Sequence, residues 1–316
     1  MKIAVIGAGA MGSLFGAHLA ESGEDVHLID VWQEHVEAVN RSGVMVESAN
    51  SRRVVSVSAT TNPADVGTVA LTIIFVKSTQ TAAAAETAAG IIGADGTVLT
   101  LQNGMGNADI ISGRIDPGRI IAGTTSHGAT LLAPGTIRHA GPGPTVIGPW
   151  SPGIKGMQRA EKVASVLSRA GIATDVVEDI RPVVWAKLLI NVGINAITGL
   201  TGIKNGQLLD LEVTRNLSRA AVAEAVQVAH AQGVRVRNDA AEHVFQIAAA
   251  TAANRSSMGQ DVDRKRATEI DAINGYIVRE AERFGIEAPV NKTLTALIKT
   301  LESHYIDLKN SPASAG

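Results

Sequence analysis

The chain has 316 residues, 28 Lys and Arg against 30 Asp and Glu, and no cysteine. That length accommodates two ordinary domains with a substantial core, and the balanced charge gives no sign of a nucleic-acid or membrane surface. The missing cysteines exclude disulfides, thiolate catalysis and Cys-based metal sites, and they fit a reducing, cytoplasmic setting. No uninterrupted apolar run reaches membrane-spanning length, and the 8 histidines show no ligand-like spacing, so no metal is expected.

The first elements in chain order are already diagnostic. Lys2-Ile-Ala-Val-Ile6 is a short apolar strand, followed at once by Gly7-Ala-Gly9-Ala10-Met11-Gly12, a helical pattern to Ser22-Gly23, and a second strand, Val26-His-Leu-Ile29, ending in Asp30. Strand, glycine turn, helix and strand, with an acid 18 positions after the last motif glycine, describe a dinucleotide site. Gly7 permits the tight turn, Gly9 lets the backbone approach a pyrophosphate, and Gly12 lets the helix close onto the strand. Ala10 and Met11 open that helix, whose free N–H groups and positive dipole end suit phosphate. A signal peptide is excluded by the glycines, which interrupt any apolar h-region. A carboxylate at Asp30 accepts hydrogen bonds from ribose hydroxyls and repels a 2′-phosphate, so NAD(H) is favoured and NADP(H) is the alternative. Asp30 would equally serve as a helix cap for the pattern over 33–41.

The alternation continues. Strands are expected over 54–57, 69–76, 97–101 and 120–123, a helix over 79–90, and turn-rich hairpin signals over 135–148. A helix over 156–170 and a strand over 173–177 complete a Rossmann-type, doubly wound α/β domain. Beyond Asp179 strand signals vanish, and helices are expected over 182–196, 215–232, 240–253, 261–284 and 291–305, with a frayed tail over 311–316. The organisation expected is a dinucleotide-binding domain, 1–179, and an all-α substrate and catalytic domain, 180–316.

Within the helical half, Lys187, Asn191 and Asn195 are spaced four apart in an otherwise apolar run, which stacks them on one side of a helix. A buried ammonium is costly without a partner or a use. The plain alternative is that Lys187 snorkels to solvent and the asparagines satisfy nearby backbone. A second polar cluster, Asn254-Arg-Ser256-Ser257-Met258-Gly-Gln260-Asp261, breaks one helix and caps the next, and Glu269 follows eight residues after Asp261. Glu269 reads either as a solvated helix face or, given Ile270, Ile273 and Ile277, as a buried edge.

Together these residues resemble the ketopantoate reductase (2-dehydropantoate 2-reductase) family over nearly the whole chain. The matching segments are Gly7 to Gly12, Lys77, Asn103-Gly-Met-Gly106, Gly123-Thr-Thr-Ser-His127, Trp185-Ala-Lys187 through Asn195, Asn205-Gly206, Ser256-Ser-Met258, and Thr268-Glu269-Ile-Asp through Asn274-Gly275. The resemblance implies a Rossmann domain, a helical domain and a site in the cleft between them. It implies hydride transfer to C2 of a 2-oxo acid, with Lys187 as general acid and Glu269 holding it charged and oriented. By the same resemblance Asn103 would contact nicotinamide ribose or substrate, Asn191 and Asn195 the distal hydroxyl, Ser257 the carboxylate, and Lys77 the cofactor edge.

One departure bears on the cofactor. NADPH-dependent members of the family carry a basic residue where this chain has Val31, after Asp30. That points to an NADH-using branch and opens a second reading, a D-2-hydroxyacid dehydrogenase of the branched-chain or mandelate type. A third, of another class, is a non-catalytic NAD-binding regulatory protein. The partner expected is a small 2-oxo acid, with no nucleic acid or membrane, and a homodimer is compatible with the apolar helical faces.

Overall fold

The computed structural model describes residues 1–310, so the tail over 311–316 lies outside the described residues. By their contacts the described residues form two compact units, one of Met1–Gln102 and Asn107–Val183, the other of Asn103–Gly106 and the chain from Val184 onward.

The first unit opens β1 (Lys2–Ile6), α1 (Ala10–Glu21), β2 (Asp25–Ile29) and α2 (Gln33–Ser42), then three short strands, β3 (Val44–Glu47), β4 (Arg52–Val55) and β5 (Ser58–Thr60). Next come β6 (Val69–Ile74), α3 (Thr81–Ile91), β7 (Ile92–Thr100), α4 (Asn107–Ser112), β8 (Ile120–Thr125), β9 (Gly128–Ala133), β10 (Thr136–Gly141), β11 (Thr145–Pro149), α5 (Ile154–Arg169) and β12 (Thr174–Val176). Among the described residues the main sheet has eight strands in the order β12-β11-β8-β7-β6-β1-β2-β5. All its pairs are parallel except β8 with β11. The chain leaves β1 toward β2 on one side and returns to β6 on the other. The strand order therefore reverses at β1, where an open α/β sheet makes its ligand crevice. Strands buried on both faces read as continuous apolar runs: Ile3, Val5, Leu71, Ile73 and Leu99 are fully enclosed.

A smaller four-stranded sheet, β4-β3-β10-β9, was not foreseen. The hairpin expected over 135–148 lies elsewhere: β10 pairs antiparallel with β9 and parallel with β3, while β11 pairs with β8 in the main sheet. The turn is Pro134-Gly135, with Gly135 at φ 70°. The later glycines carry the chain from one sheet to the other. Local turn chemistry marks where strands end but leaves their partners open.

The second unit is helical: α6 (Arg181–Thr201), α7 (Glu212–Ala231), α8 (Ala240–Ala250), α9 (Ser257–Asp263), α10 (Asn274–Phe284) and α11 (Pro289–Asn310). Its core gathers Trp185, Leu188, Val192, Val222, Val244 and Ile277. Among the described residues α6 is the one helix long and apolar enough to cross a membrane, and 61% of that stretch is buried inside the protein. At Gly193 a Cβ would sit 2.8 Å from Val244 Cγ1 and 2.9 Å from Val222 Cγ2, so the missing side chain lets α7 and α8 press onto α6.

The continuous helix expected over 261–284 is broken. α9 stops at Asp263, Lys265 takes a positive φ of 50°, and α10 begins only at Asn274. The intervening Asp263-Arg-Lys-Arg-Ala267 run is exposed and offers no apolar face to bury, so nothing extends the helix through it.

Candidate active site

The glycine turn lies at the reversal point of the first unit. Gly7 has φ 93°, and a Cβ on Gly12 would meet the Gly7 carbonyl oxygen at 1.9 Å, so α1 can start this close to β1 only with glycine there. A Cβ on Gly9 would meet nothing, leaving that side open to a ligand. α1, opened by Ala10 and Met11, has no side-chain cap and no acid in its first turn, so its N–H groups remain available for an anion. Asp30 is fixed at both oxygens. Ala8 N–H donates to Oδ2 at 2.6 Å, and Trp32 N–H donates to Oδ1 at 3.0 Å. The carboxylate keeps lone pairs for a diol. Val31 is 85% exposed and supplies no cation for a 2′-phosphate. Lys77 is exposed just beyond β6. These residues fit a pyridine dinucleotide.

The second unit assembles the acid–base group. Lys187, Asn191 and Asn195 lie at i, i+4 and i+8 of α6, with Lys187 and Asn191 half-buried and Asn195 5% exposed. Dense packing around the ammonium, despite some remaining surface, lowers the Lys187 pKa to about 8, and the Glu269 charge opposes that shift. Glu269 is 7% exposed, at a non-helical residue before the short 3-10 turn Ile270–Ala272. The solvated helix face considered for it does not exist.

Although Asn103 follows directly on β7, the Asn103–Gly106 strip belongs by its contacts to the second unit. Asn103 Nδ2 lies 3.5 Å from Glu269 Oε2, and Met105 N–H donates to Ala272 O at 2.9 Å. Gly104 makes this docking possible: its φ is 79°, and a Cβ there would lie 2.6 Å from Ala272 O. Two turns beyond Lys187 on α6, Asn195 Nδ2 reaches the exposed Ser257 Oγ at 3.5 Å. Ser256 has the plainer role. It caps α9, accepting from Gly259 N–H at 3.0 Å, and shares a 2.7 Å hydrogen bond with Thr198.

The structure thus gathers Lys187, Glu269 and Asn103 at one point and Asn195 with Ser257 at another, with Asn191 on the helix face between. Chemically this is a proton donor titrating near 8, a carboxylate to orient it, and amides and a hydroxyl suited to an oxygenated substrate. Unforeseen from sequence were Ser13, Trp32 and His35 behind the glycine turn. No motif carries them, because the contacts that join Ser13 to His35 and His35 to Gly135 span 22 and 100 residues.

The family described as "Ketopantoate reductase PanE/ApbA" matches residues 3–152, and "Ketopantoate reductase PanE/ApbA C terminal" matches residues 179–302. The 2-dehydropantoate 2-reductase of Halobacterium salinarum is 38% identical over 302 residues, covering 95% of this chain and 98% of its own. Among solved structures, a PanE/ApbA family ketopantoate reductase from Ralstonia eutropha JMP134 has a TM-score of 0.89 at 33% identity, over 96% of this chain and 99% of that one. D-mandelate dehydrogenase with NADH and anilino(oxo)acetate has the same TM-score at 28% identity, over the same shares.

Proposed function

The chain belongs to the ketopantoate reductase family, and from that premise we propose that it reduces ketopantoate (2-dehydropantoate) to D-pantoate, with NADH as the favoured reductant. It is an NAD(P)-dependent oxidoreductase acting on CH–OH groups. Residues 1–179 would bind the dinucleotide through Gly7, Gly9, Ala10, Met11, Gly12, Asp30 and Lys77, and residues 180–316 would carry the acid–base chemistry. A cytoplasmic location goes with this reading.

When bound, the reduced nicotinamide supplies a hydride to the C2 carbonyl carbon. Lys187 donates a proton from its ammonium to the carbonyl oxygen as negative charge builds there, and the neutral amine recovers a proton from solvent. Glu269 keeps that ammonium charged and aimed. Asn103 would contact the nicotinamide ribose or the substrate. Asn191 and Asn195 read the distal hydroxyl, and the Ser257 hydroxyl donates to the substrate carboxylate. The observation that carries this reading is the Lys187 ammonium, lowered to about 8 beside a buried Glu269 and continued along α6 by two asparagines.

A second reading has its own support. Asp30 with exposed Val31 suits NADH, and a D-mandelate dehydrogenase with NADH shares the fold throughout. A D-2-hydroxyacid dehydrogenase would need no hydroxyl-reading amides. Initial rates with ketopantoate and with 2-oxoisovalerate, which lacks the hydroxyl, separate the two, using NADH and NADPH at matched concentrations. Preference for ketopantoate with NADH is expected. Equal or better turnover of 2-oxoisovalerate would move the protein to the second reading, and preference for NADPH would overturn the role given to Asp30.

A further inference from the structure

Behind the glycine turn of the first unit is an imidazole that the proposed chemistry does not use. His35, near the start of α2, is 1% exposed. Gly135 N–H donates to its Nδ1 at 3.1 Å, so Nδ1 is the bare acceptor and the ring proton sits on Nε2. Nε2 lies 3.3 Å from the hydroxyl of the fully buried Ser13, whose own proton goes to Ala8 O at 2.7 Å. That hydroxyl can therefore accept from Nε2–H, and every member of the relay is satisfied in one tautomer. Ala8, pinned through its carbonyl, donates its N–H to Asp30 Oδ2.

One face of the ring is covered. The Trp32 indole stacks on it at 5.6 Å between centroids and 18° between planes, and Trp32 N–H holds the other Asp30 oxygen. Trp32 N–H reaches Asp30 directly, so the hydrogen-bonded route from His35 to the carboxylate runs through Ser13 and Ala8 alone. Burial lowers the pKa of His35 and keeps the ring neutral, against the opposing charge of Asp30.

We propose that His35 is a positioning residue for the dinucleotide. Its Nε2–H tautomer sets the residue 8 backbone and the Asp30 carboxylate in the arrangement that receives the adenosine ribose. The inference rests on the dinucleotide reading of Asp30. Two conservative variants divide the relay. In His35→Asn the side-chain carbonyl can still accept from Gly135 N–H but is too short to reach Ser13. In His35→Gln the amide N–H can reach Ser13.

The test is the dissociation constant for NADH by calorimetry, with kcat and the KM for NADH from initial rates. His35→Asn should weaken NADH binding about tenfold and leave kcat at saturating NADH near wild type, while His35→Gln stays within about threefold. Ser13→Ala, which removes the hydroxyl and keeps the ring, should behave like His35→Asn and serves if that variant fails to fold. A merely structural ring would weaken Asn and Gln variants alike, or lower kcat with KM unchanged, and either result overturns the proposal. Unchanged NADH binding in Ser13→Ala overturns it as well. Wild-type protein that binds neither NADH nor NADPH would overturn the dinucleotide reading and this inference with it, a failure seen before any variant is made.

Discussion

Lys187 is the residue whose environment sets the pH range of the proposed reaction. Reduction consumes the protonated form, so kcat/KM for ketopantoate should be level below a pH of about 8 and fall as pH rises through it. Oxidation of D-pantoate needs the neutral amine and should rise over the same interval. Glu269 raises the lysine pKa, so Glu269→Gln should move the inflection to lower pH. Lys187→Ala should lower kcat by about 10²–10⁴. A reduction rate that climbs through pH 8, or an inflection that moves upward in Glu269→Gln, would contradict this assignment. The spacing of Lys187, Asn191 and Asn195 is legible in the sequence because helical periodicity alone puts them on one face. For Glu269 the neighbouring Ile270, Ile273 and Ile277 admit a buried edge, while its role is legible only through resemblance. Its burial depends on the broken segment before α10 and on Gly104 admitting the Asn103–Gly106 strip, neither of which a local pattern encodes. His35 was invisible for the same reason, since its hydrogen-bond partners are Gly135 and Ser13.

Elements of the second unit are tied together by buried polar groups as well as by apolar faces. Glu224 on α7, 8% exposed, accepts from Val290 N–H at 2.8 Å, Asn291 N–H at 2.9 Å and the Asn291 side-chain amide at 2.7 Å. Its charge sits at the positive end of α11, where helix N–H groups lack partners of their own. Asn291 Oδ1 in turn accepts from Asn274 of α10 at 2.9 Å, so one carboxylate organises three helices. Glu224→Ala leaves several buried donors unsatisfied and should lower unfolding stability by about 3 kcal/mol, with Glu224→Gln intermediate. Denaturant midpoints check this, and an Ala variant as stable as wild type would show that water replaces the carboxylate. Long periodic segments such as α6 and α7 and the apolar strands of the main sheet could be read directly from sequence. The small sheet could not: the strand expected over 54–57 overlaps β4, but β3 has only four residues, and the pairing of both is decided by tertiary contacts.

At the scale of the whole molecule, the glycine turn, Asp30 and Lys77 belong to the first unit, and Lys187, Glu269, Asn103, Asn191, Asn195 and Ser257 all belong to the second. The proposed reaction requires the nicotinamide carbon and the substrate carbonyl to touch, so both ligands must be held at once. Any free energy gained in that contact must appear as coupling between the two binding equilibria, equal in both directions. NADH with D-pantoate is a convenient pair, because a reduced cofactor and an already reduced product cannot react. Saturating NADH should tighten D-pantoate binding, typically about 5- to 150-fold for coupled sites, and saturating D-pantoate should tighten NADH binding by the same factor. Calorimetric titrations in both orders measure the two factors independently. D-pantoate affinity indifferent to NADH would mean that the two ligands do not meet on the protein, and the assignment of hydride transfer to these residues would fall with it.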